Sequence, residues 1–264
     1  MRSRYIIIGD VHGCLAELRA LLARLGPRSD DTVVFVGDLV DKGPHSPAVV
    51  RWIRTFAETY RVVLIEGNHE EKHRRWRHHT RQGSDIVHTM TGTAQIEAIS
   101  KALSAADTAF LETGRLYFRI PEYDALVVHA GVPPALDSLP DNPRDILHYS
   151  RKQRDVYMKM QRIRFVSPEG KILQLGHETV RDHYWATRYD GRFGTVYFGH
   201  QVFMQPEPVE FEHAIGLDLG AVHGGYLAAA ILSENGVSYM MEPACQVYST
   251  TMSPDANQCF MTSR

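Results

Sequence analysis

Three short apolar runs early in the chain each end in glycine followed by a residue that can bind a metal ion. The runs cover residues 5–8, 32–36 and 61–65, and the residues after the glycines are Asp10, Asp38 and Asn68. Leucines at helical spacing from Leu15 to Leu25, and the helix-start pair Ser46-Pro47 with Ser46 as N-cap, separate the runs. This alternation is typical of parallel βαβ units, which bind ligands beyond the carboxyl ends of their strands. The sequence therefore predicts an α/β protein with its functional site at that edge.

The rest of the chain continues with helices and then with strands. Helices are expected over residues 93–103 and after Ser104, where Ser-Ala-Ala-Asp has the form of a capping box. Strands are expected over residues 116–120, 125–128, 194–198, 214–219, 226–232 and 237–241, with Asn235-Gly236 as a hairpin turn. Residues 249–264 are polar and aperiodic. We expect one domain over residues 1–248 and a mobile tail over 249–264.

Bulk properties fit a cytoplasmic enzyme better than a membrane protein or a polyanion binder. The 264 residues suit a single α/β domain, and the fractions of 44% hydrophobic and 23% charged residues are ordinary for a soluble protein. A formal net charge of −2 gives no overall attraction to nucleic acid. Cys14, Cys245 and Cys259 form no C-x-x-C pair and are odd in number, so we expect reduced thiols. No secretory signal or membrane-spanning segment is expected.

The residues at the strand ends suit a pair of divalent metal ions. Hydrolysis of a phosphate ester needs a nucleophilic water and neutralisation of charge, which two ions roughly 3.5–4 Å apart can supply. Asp38 is the candidate for the carboxylate that bridges the ions, and Asp10 and His12 can turn toward one ion together. The candidates for the second ion are Asn68, His129 after residues 125–128, and His200 after Gly199. Carboxylate and imidazole ligands favour Mn, Fe or Zn over Ca.

The motifs G-D-V-H-G, G-D-L-V-D, G-N-H-E, H-A-G and G-H, in this order from Gly9, resemble those of the calcineurin-like metallophosphoesterases. The match is to their phosphoprotein-phosphatase-like branch, and it extends to about residue 225. The resemblance implies a fold of two mixed β-sheets packed as a sandwich and flanked by helices. It implies two divalent ions as cofactors. Mn²⁺ is the expected metal, and Fe, Zn, Co or Ni are the alternatives.

The resemblance also implies a role for each matching residue. Asp10, His12 and Asp38 correspond to the ligands of the first metal. Asp38, Asn68, His129 and His200 correspond to the ligands of the second. His69 corresponds to the general acid that protonates the leaving group, and Asp41 to the carboxylate that pairs with it. That pairing is physically reasonable, because a neighbouring carboxylate raises the pKa of a histidine and keeps it protonated.

Two positions depart from the family pattern. Lys42 stands where the family has arginine, which keeps the positive charge but loses the bidentate fork. The second phosphate-binding arginine has a weaker counterpart in Arg151, after Tyr149-Ser150. The substrate phosphate is then expected to contact Lys42, Arg151, Asn68 and His69.

The sequence predicts a metal-dependent phosphatase that hydrolyses phosphomonoesters by attack of a metal-activated hydroxide. The substrate is expected to be a phosphoprotein or a nucleotide, and the alternatives are diadenosine tetraphosphate and a phosphorylated RNA end. The symmetrical diadenosine tetraphosphatases and the phosphatase module of bacterial polynucleotide kinase-phosphatases share some of the local sequence. No membrane and no stable nucleic-acid complex is implied, and the oligomeric state stays open.

Two other readings are weaker. A nuclease of the superfamily often carries G-H-x-H, where this chain has Val202 in the last position. A scaffold without activity would have lost ligands or the acid, whereas every candidate is retained here. Residues 72–81 form a basic stretch containing Trp76, which either binds a nucleotide or, as we favour, is an ordinary solvated helix face.

Overall fold

The structure is a computed structural model that describes residues 3–251. Its strands are β1 (Tyr5–Ile8), β2 (Thr32–Phe35), β3 (Arg61–Leu64), β4 (Tyr117–Ile120), β5 (Ala125–Val128), β6 (Phe165–Val166), β7 (His183–Tyr184), β8 (Thr195–Phe198), β9 (Val209–Glu210), β10 (Ala214–Gly216), β11 (Asp218–Leu219), β12 (Tyr226–Ser233) and β13 (Gly236–Pro243). Its α-helices are α1 (Leu15–Leu25), α2 (Ser46–Phe56), α3 (Asn68–Arg81), α4 (Ile86–Thr89), α5 (Thr93–Ala102), α6 (Ala105–Leu111) and α7 (Arg151–Met158). Within these described residues, no helix combines the length and the apolar character needed to cross a bilayer.

The first sheet is built on the three strands that the sequence predicts as parallel. β1 pairs with β2 and β2 with β3, both in parallel register, and α1 and α2 form the crossovers. β12 adds to the other side of β1 in antiparallel register, so that the order is β11-β12-β1-β2-β3, with β13 also paired to β12. Every residue of β1 and β2 is buried, as expected for strands covered on both faces.

The second sheet packs against the first through alternate side chains. Its order is β4-β5-β8-β10-β9, and its strand pairs are again mixed in direction. Ile7 and Val34 of the first sheet share a core cluster with Val127 of the second. Their neighbours Ile6 and Val33 point the other way, into the cluster formed with α1 and α2. Burying each such side chain stabilises the fold by about 1.5–3 kcal/mol, and the predicted sandwich of two mixed sheets is confirmed.

The two outer faces of the sandwich are covered differently. Helices α1, α2, α5 and α6 contribute Leu18, Val50, Ile99 and Leu111 to the cluster on the first sheet. On the second sheet, α7 contributes Tyr157, and irregular segments supply most of the remaining cover, including Met160, Phe165 and Trp185. The helical layer on that side is therefore thin among the described residues.

The strand predicted over residues 214–219 is wrong as a single element. β10 pairs with β8 in the second sheet, whereas β11 pairs with β12 in the first. The chain crosses at Leu217, whose N–H donates to Phe198 O at 2.7 Å, and Asp218 O accepts from Phe203 N at 2.8 Å. Apolar residues suit either sheet equally, so hydrophobicity alone cannot mark the crossing. The crossing brings Asp218 to the first sheet.

The N-terminal caps of α2 and α6 can be compared with the helix starts predicted from the sequence. Ser46 is the first residue of α2 and not its N-cap, which is His45, and the Ser46 hydroxyl instead accepts a hydrogen bond from Asp41 N at 3.0 Å. The correction follows from that competing donor in the loop after β2. At α6, by contrast, Ser104 and Asp107 form the predicted capping box.

The predicted tail starts within the described residues and continues beyond them. Ser249 N–H donates to Val222 O at 3.0 Å, and Ser249 O lies 2.7 Å from His223 Nδ1, so the chain is still anchored at residue 249. Residues 252–264, with Cys259, lie outside the described residues. Cys14 and Cys245 are free thiols, the first buried and the second exposed.

Candidate metal centre

Loops from both sheets converge on one cluster of polar side chains. The loop after β1 supplies Asp10 and His12, the loop after β2 supplies Asp38, and α3 begins at Asn68 just after β3. The second sheet supplies His129 after β5 and His200 after β8. Most of these side chains are buried, whereas Asn68 and the neighbouring His69 are half-buried and reach solvent. The structure thus brings the six predicted metal ligands together at the carboxyl ends of parallel strands.

Asp38 lies between two groups of imidazoles. Its Oδ2 is 3.5 Å from His12 Nε2, and its Oδ1 is 3.4 Å from His129 Nε2. The ligand atoms of Asp38, His12 and His69 lie within 4.8 Å of one another, and so do those of Asp38, His129 and His200. One carboxylate therefore faces both groups, as a ligand shared by two cations must.

Asn68 and His129 approach each other as two acceptors. His129 Nδ1 lies 2.9 Å from Val36 O, which only accepts, so the ring proton is on Nδ1 and Nε2 carries a lone pair. That Nε2 lies 2.9 Å from Asn68 Oδ1. Two lone pairs at this distance repel unless a cation lies beside both or the amide is turned over. The pair fits a metal ion.

Asp10 does not join the group formed by His12 and Asp38, although the sequence predicts these three on one ion. Its Oδ2 accepts from His200 N at 3.0 Å, and its Oδ1 is buried without a hydrogen-bond partner. Asp10 is thus placed between the two predicted shells. An added Cβ on Gly199 would lie 1.9 Å from Asp10 Oδ1, so only glycine fits beside this carboxylate.

The electrostatics of the cluster fit bound cations. Burial, together with the carboxylates of Asp218 and Asp38, raises the pKa of Asp10 well above its ordinary value. Burial lowers the pKa of both His12 and His200, with Lys42 and Arg164 respectively adding to the effect, so these rings are neutral and can act as ligands. His200 Nε2 is also buried without a partner. Crowded carboxylates, neutral imidazoles and unpartnered acceptors together suit divalent metal ions.

Asp41 connects two histidines at the entrance. Its Oδ2 lies 2.7 Å from His69 Nδ1, and its Oδ1 lies 2.8 Å from His73 Nε2. Burial raises the pKa of Asp41, but the two histidines outweigh that effect and lower it. Burial lowers the pKa of His69, but the Asp38 and Asp41 carboxylates outweigh it and raise the pKa above its ordinary value. The predicted pair of His69 and Asp41 is therefore in contact, and His69 is charged more readily than a free histidine.

The loops of the cluster hold unusual backbone conformations. Positive φ angles occur at His12, Asp38, Asp41, Lys42 and His200, and among the described non-glycine residues only Asp124 shares this property. Such conformations cost about 1–3 kcal/mol each and persist where surrounding contacts enforce them. Their concentration here marks the cluster as a functional site.

A sequence model of the calcineurin-like phosphoesterases matches residues 3–204. The chain belongs to this family. It is accordingly a phosphoester hydrolase of a family that uses divalent metal ions, and both predictions from the motifs are confirmed.

Similar proteins cover nearly the same length. The PrpE protein of Bacillus velezensis, named an asymmetrical bis(5′-nucleosyl)-tetraphosphatase, is 32% identical over 240 residues, which are 84% of this chain and 86% of that one. Its namesake in Bacillus subtilis is 30% identical over 237 residues, covering 84% and 88%. A solved protein proposed to be a diadenosine tetraphosphatase has a TM-score of 0.65 at 26% identity, covering 91% and 94%. A serine/threonine phosphatase of Saccharomyces cerevisiae has a TM-score of 0.61 at 15% identity, covering 92% and 81%.

The two basic residues expected at the substrate phosphate occupy different places in this phosphoesterase. Lys42 Nζ lies 2.9 Å from His12 Nε2, inside the cluster. Arg151 is the exposed first residue of α7 and lines a separate pocket with Glu66 and Arg144. The described contacts of Arg151 include none to the metal-ligand candidates.

No sequence pattern indicated Arg164, which the structure places at the cluster. Arg164 Nη2 donates to His200 O at 3.2 Å, and Nε donates to Gln201 Oε1 at 3.0 Å. Burial lowers the pKa of Arg164 below its ordinary value. Tyr184 and the carboxylates of the cluster, Asp38 among them, oppose this but do not outweigh it. The residue sits in an irregular segment before β6, where no periodicity or motif singles it out.

Glu70 and Asp218 are two further residues of this phosphoesterase for which the sequence suggested no role. Glu70 accepts from four backbone N–H groups, those of Asp38, Leu39, Val40 and Gly67, at 2.8–3.3 Å. Burial and the Asp38 carboxylate raise the pKa of Glu70 to about 7. Asp218 is buried, with Oδ2 lacking a partner, and burial raises its pKa. The sequence features that could have indicated them are the glutamate that ends G-N-H-E and the aspartate within the apolar run 214–219.

Proposed function

We propose that this phosphoesterase hydrolyses dinucleoside tetraphosphates such as diadenosine tetraphosphate. The chemistry rests on one observation, the position of Asp38 between two groups of metal-ligand side chains. The substrate rests on the two Bacillus relatives, which bear this activity in their names at 30% identity or more over 84% of this chain. A phosphoprotein substrate has weaker support, because the likeness to the yeast phosphatase is at 15% identity and concerns the fold alone.

In this proposal two divalent ions, with Mn²⁺ first, share Asp38. His12 would hold one ion, Asn68, His129 and His200 would hold the other, and Asp10, which accepts from His200 N, would lie between them. The ions supply the nucleophile and neutralise charge on the phosphate. The protein contributes a buried, preorganised set of ligands whose rings are neutral and whose loops are held by Glu70.

Lys42, Asn68 and Arg164 are the proposed contacts to the substrate phosphate. Lys42 carries its ammonium group against His12, and Arg164 carries its guanidinium group against His200 O. Asn68 is half-buried at the first turn of α3, where helix N–H groups favour an anion. Arg164 is assigned here the phosphate-binding role expected for Arg151, because its hydrogen bonds reach the cluster.

His69 is the proposed proton donor to the leaving oxygen. Its Nδ1 is 2.7 Å from Asp41 Oδ2, so Asp41 orients the ring and leaves Nε2 toward the cluster, 3.9 Å from Asp38 Oδ2. His73 holds the other oxygen of Asp41 from a fully buried position. A donor oriented in this way contributes about 10²–10⁴-fold to rate.

A substrate panel tests the choice of substrate. Purified protein with Mn²⁺ is given diadenosine tetraphosphate, a phosphoserine peptide and RNA with a 3′-phosphate, and kcat/KM is compared. We expect diadenosine tetraphosphate to lead by at least about tenfold, a difference worth about 1.4 kcal/mol. A lead by the peptide or by the RNA overturns the substrate proposal. Chromatography of the products separates asymmetrical cleavage, which gives ATP and AMP, from symmetrical cleavage, which gives two ADP.

Two substitutions test the machinery. Asp38→Asn removes the shared carboxylate charge and is expected to lower kcat/KM by about 10³-fold or more. His69→Asn is expected to lower kcat by about 10²-fold or more, with a smaller loss for substrates whose leaving group needs no proton, such as para-nitrophenyl phosphate.

Matched changes at exposed sites serve as controls for these substitutions. Asp30→Asn and His88→Asn are expected to retain full activity, since both side chains are exposed. Undiminished turnover by Asp38→Asn contradicts the proposal. If the unmodified protein hydrolyses no substrate with any metal, a scaffold without activity is favoured. If it prefers bis-para-nitrophenyl phosphate, a phosphodiesterase is favoured.

A further inference from the structure

A second pocket lies along the side of α3, away from its first turn. Its volume is about 1000 Å³, and its walls are α3, the loop at residues 112–116, the 3₁₀ turn Pro143–His148 and α7. From α3 it receives Arg74, Arg75, His78 and Arg81. The last three recur at three-residue intervals and so share one face of the helix. We call this cavity the α3 pocket.

The other walls of the α3 pocket are also basic. They carry Arg115, Arg144, Arg151 and Arg154. Among the described lining residues, seven arginines thus stand against three carboxylates, Glu66, Glu112 and Asp155, an excess of four positive charges. The whole chain has a net charge of −2, so this positive charge is local. A concave surface with one sign of charge attracts ligands of the opposite charge, so the α3 pocket favours an anionic ligand.

Several of these arginines have no acidic partner. Arg74 pairs with Glu66, and Arg75 lies 3.7 Å from Glu71. Within residues 3–251 no ion pair is formed by Arg81, Arg115 or Arg144. Unpaired guanidinium groups bind phosphate with charge-assisted, often bidentate hydrogen bonds.

The pocket also has an apolar part. Leu116, Ile146, Leu147 and Met158 line it, and Leu147 is 67% exposed although it is a large apolar residue. Guanidinium planes and aliphatic side chains are surfaces against which a nucleobase can pack. A highly charged wall beside an apolar one suits a ligand that joins phosphate to a base.

The α3 pocket and the metal centre share one helix. Asn68 is the first residue of α3, so Arg74 and Arg81 follow it by about 9 and 20 Å along the axis at 1.5 Å per residue. Arg162 lies beside the first turn of α3, since its Nη2 donates to Glu71 Oε2 at 2.7 Å and lies 3.5 Å from Asn68 O. These separations along α3 are of the size that a long ligand with one phosphate at the metal centre would have to span to reach the pocket.

We propose that the α3 pocket binds a nucleoside phosphate, with arginines on the phosphates and apolar side chains against the base. The nucleoside phosphate is either the distal half of a dinucleoside polyphosphate substrate, which rests on the proposed function, or a free nucleotide. In both cases the basic stretch of α3 is a binding surface and not only a solvated face.

Charge reversal at two exposed arginines tests this proposal. Arg144→Glu and Arg154→Glu, singly and together, are compared with Arg19→Glu, an exposed arginine of α1 outside the pocket. The readouts, all with the Mn²⁺-loaded full chain, are KM and kcat for diadenosine tetraphosphate, kcat for para-nitrophenyl phosphate, and binding of the fluorescent nucleotide mant-ATP. We expect the double variant to weaken mant-ATP binding by about tenfold or more, and binding to weaken further with salt.

The kinetic readouts separate the two sources of the nucleotide. A rise of about tenfold in KM for diadenosine tetraphosphate, with unchanged turnover of para-nitrophenyl phosphate, assigns the distal half of the substrate to the pocket. Weaker mant-ATP binding with unchanged KM assigns a free nucleotide. If mant-ATP binds equally to the double variant, to Arg19→Glu and to the unmodified chain, the inference is wrong. It is also wrong if a polyglutamate peptide displaces mant-ATP as well as ATP does.

Failure of the proposed function leaves this test intact. A protein that does not hydrolyse diadenosine tetraphosphate still reports on the pocket through mant-ATP binding, and a pocket that binds no nucleotide leaves turnover of diadenosine tetraphosphate unaffected.

Discussion

At the scale of single residues, Glu70 holds the backbone around Asp38. Its two oxygens accept from the N–H groups of Asp38, Leu39 and Gly67, joining the loop after β2 to the start of α3. The loop that it holds contains Asp38 and Asp41, both with positive φ. The carboxylate therefore supplies contacts that enforce a strained loop.

Replacing Glu70 by glutamine tests this anchoring role. The amide group of Glu70→Gln places N–H donors against backbone N–H donors, so hydrogen bonds are lost in a buried place. We expect the free energy of unfolding to fall by about 2–4 kcal/mol, measured by urea denaturation.

Glu97→Gln provides the matched control, because Glu97 lies exposed on α5 and its ion pair among residues 3–251 is with Lys101 alone. That change is expected to alter stability by less than about 0.5 kcal/mol. Equal stability of the Glu70→Gln and Glu97→Gln proteins would remove Glu70 from the anchoring role.

At the scale of elements, Asp107 ties α6 to α2. Its Oδ1 accepts from Arg54 Nε at 2.9 Å, and its Oδ2 accepts from Ser104 N at 3.1 Å. The side chain is fully buried. Burial raises the pKa of Asp107, but Arg54 and Ser104 outweigh burial and lower it below its ordinary value.

The stability contributed by Asp107 should depend on pH. Because its pKa is lower in the folded chain than in the unfolded chain, the charge stabilises the fold above the unfolded pKa of about 3.9. That contribution is lost as the pH falls through the folded value. Asp107→Asn should therefore cost about 2 kcal/mol at neutral pH, and the gap to the unmodified protein should shrink below about pH 4. Urea denaturation over pH 7 to 3 measures it, and a gap that widens in acid contradicts the assignment.

The elements show which features a sequence can reveal. β1 and β2 were predictable because parallel strands buried on both faces give unbroken apolar runs, with helical spacing between them. The split of residues 214–219 into β10 and β11 was not, since the choice between sheets depends on distant partners on β8 and β12. The hydroxyl of Ser46 was likewise drawn to Asp41 N, a donor five residues earlier that no capping rule includes.

At the scale of the whole molecule, the metal centre joins loops from both sheets. Asp10, Asp38 and Asn68 come from the first sheet, and His129 and His200 from the second. Cations held by these candidate ligands would contact residues that lie far apart in sequence. Ions that bind the folded chain and not the unfolded one stabilise the fold.

Metal loading should raise the melting temperature. At free Mn²⁺ about 100-fold above its dissociation constant, the gain is about 2.7 kcal/mol, or several degrees in a chain of this length. Differential scanning fluorimetry with and without chelator measures the shift. Asp38→Asn should lose most of it, whereas Asp30→Asn should keep it. An identical shift in both variants would place the ions elsewhere.

The site was predictable from sequence where chemistry is coupled to strand ends. Each candidate ligand follows an apolar run, so its position could be expected before its partners were known. Arg164 and Asp218 lack that context, and only tertiary packing brings them to the cluster. Arg151 stays a prediction from a short local match, and the structure places it in the wall of the α3 pocket.

The passage of the backbone from β10 to β11 has a mechanical consequence. One continuous segment is hydrogen-bonded to β8 on one side of Leu217 and to β12 on the other. A relative movement of the two sheets would therefore break the hydrogen bonds of this segment to β8 or to β12. The crossing therefore constrains how far apart the candidate ligands supplied by the two sheets can move.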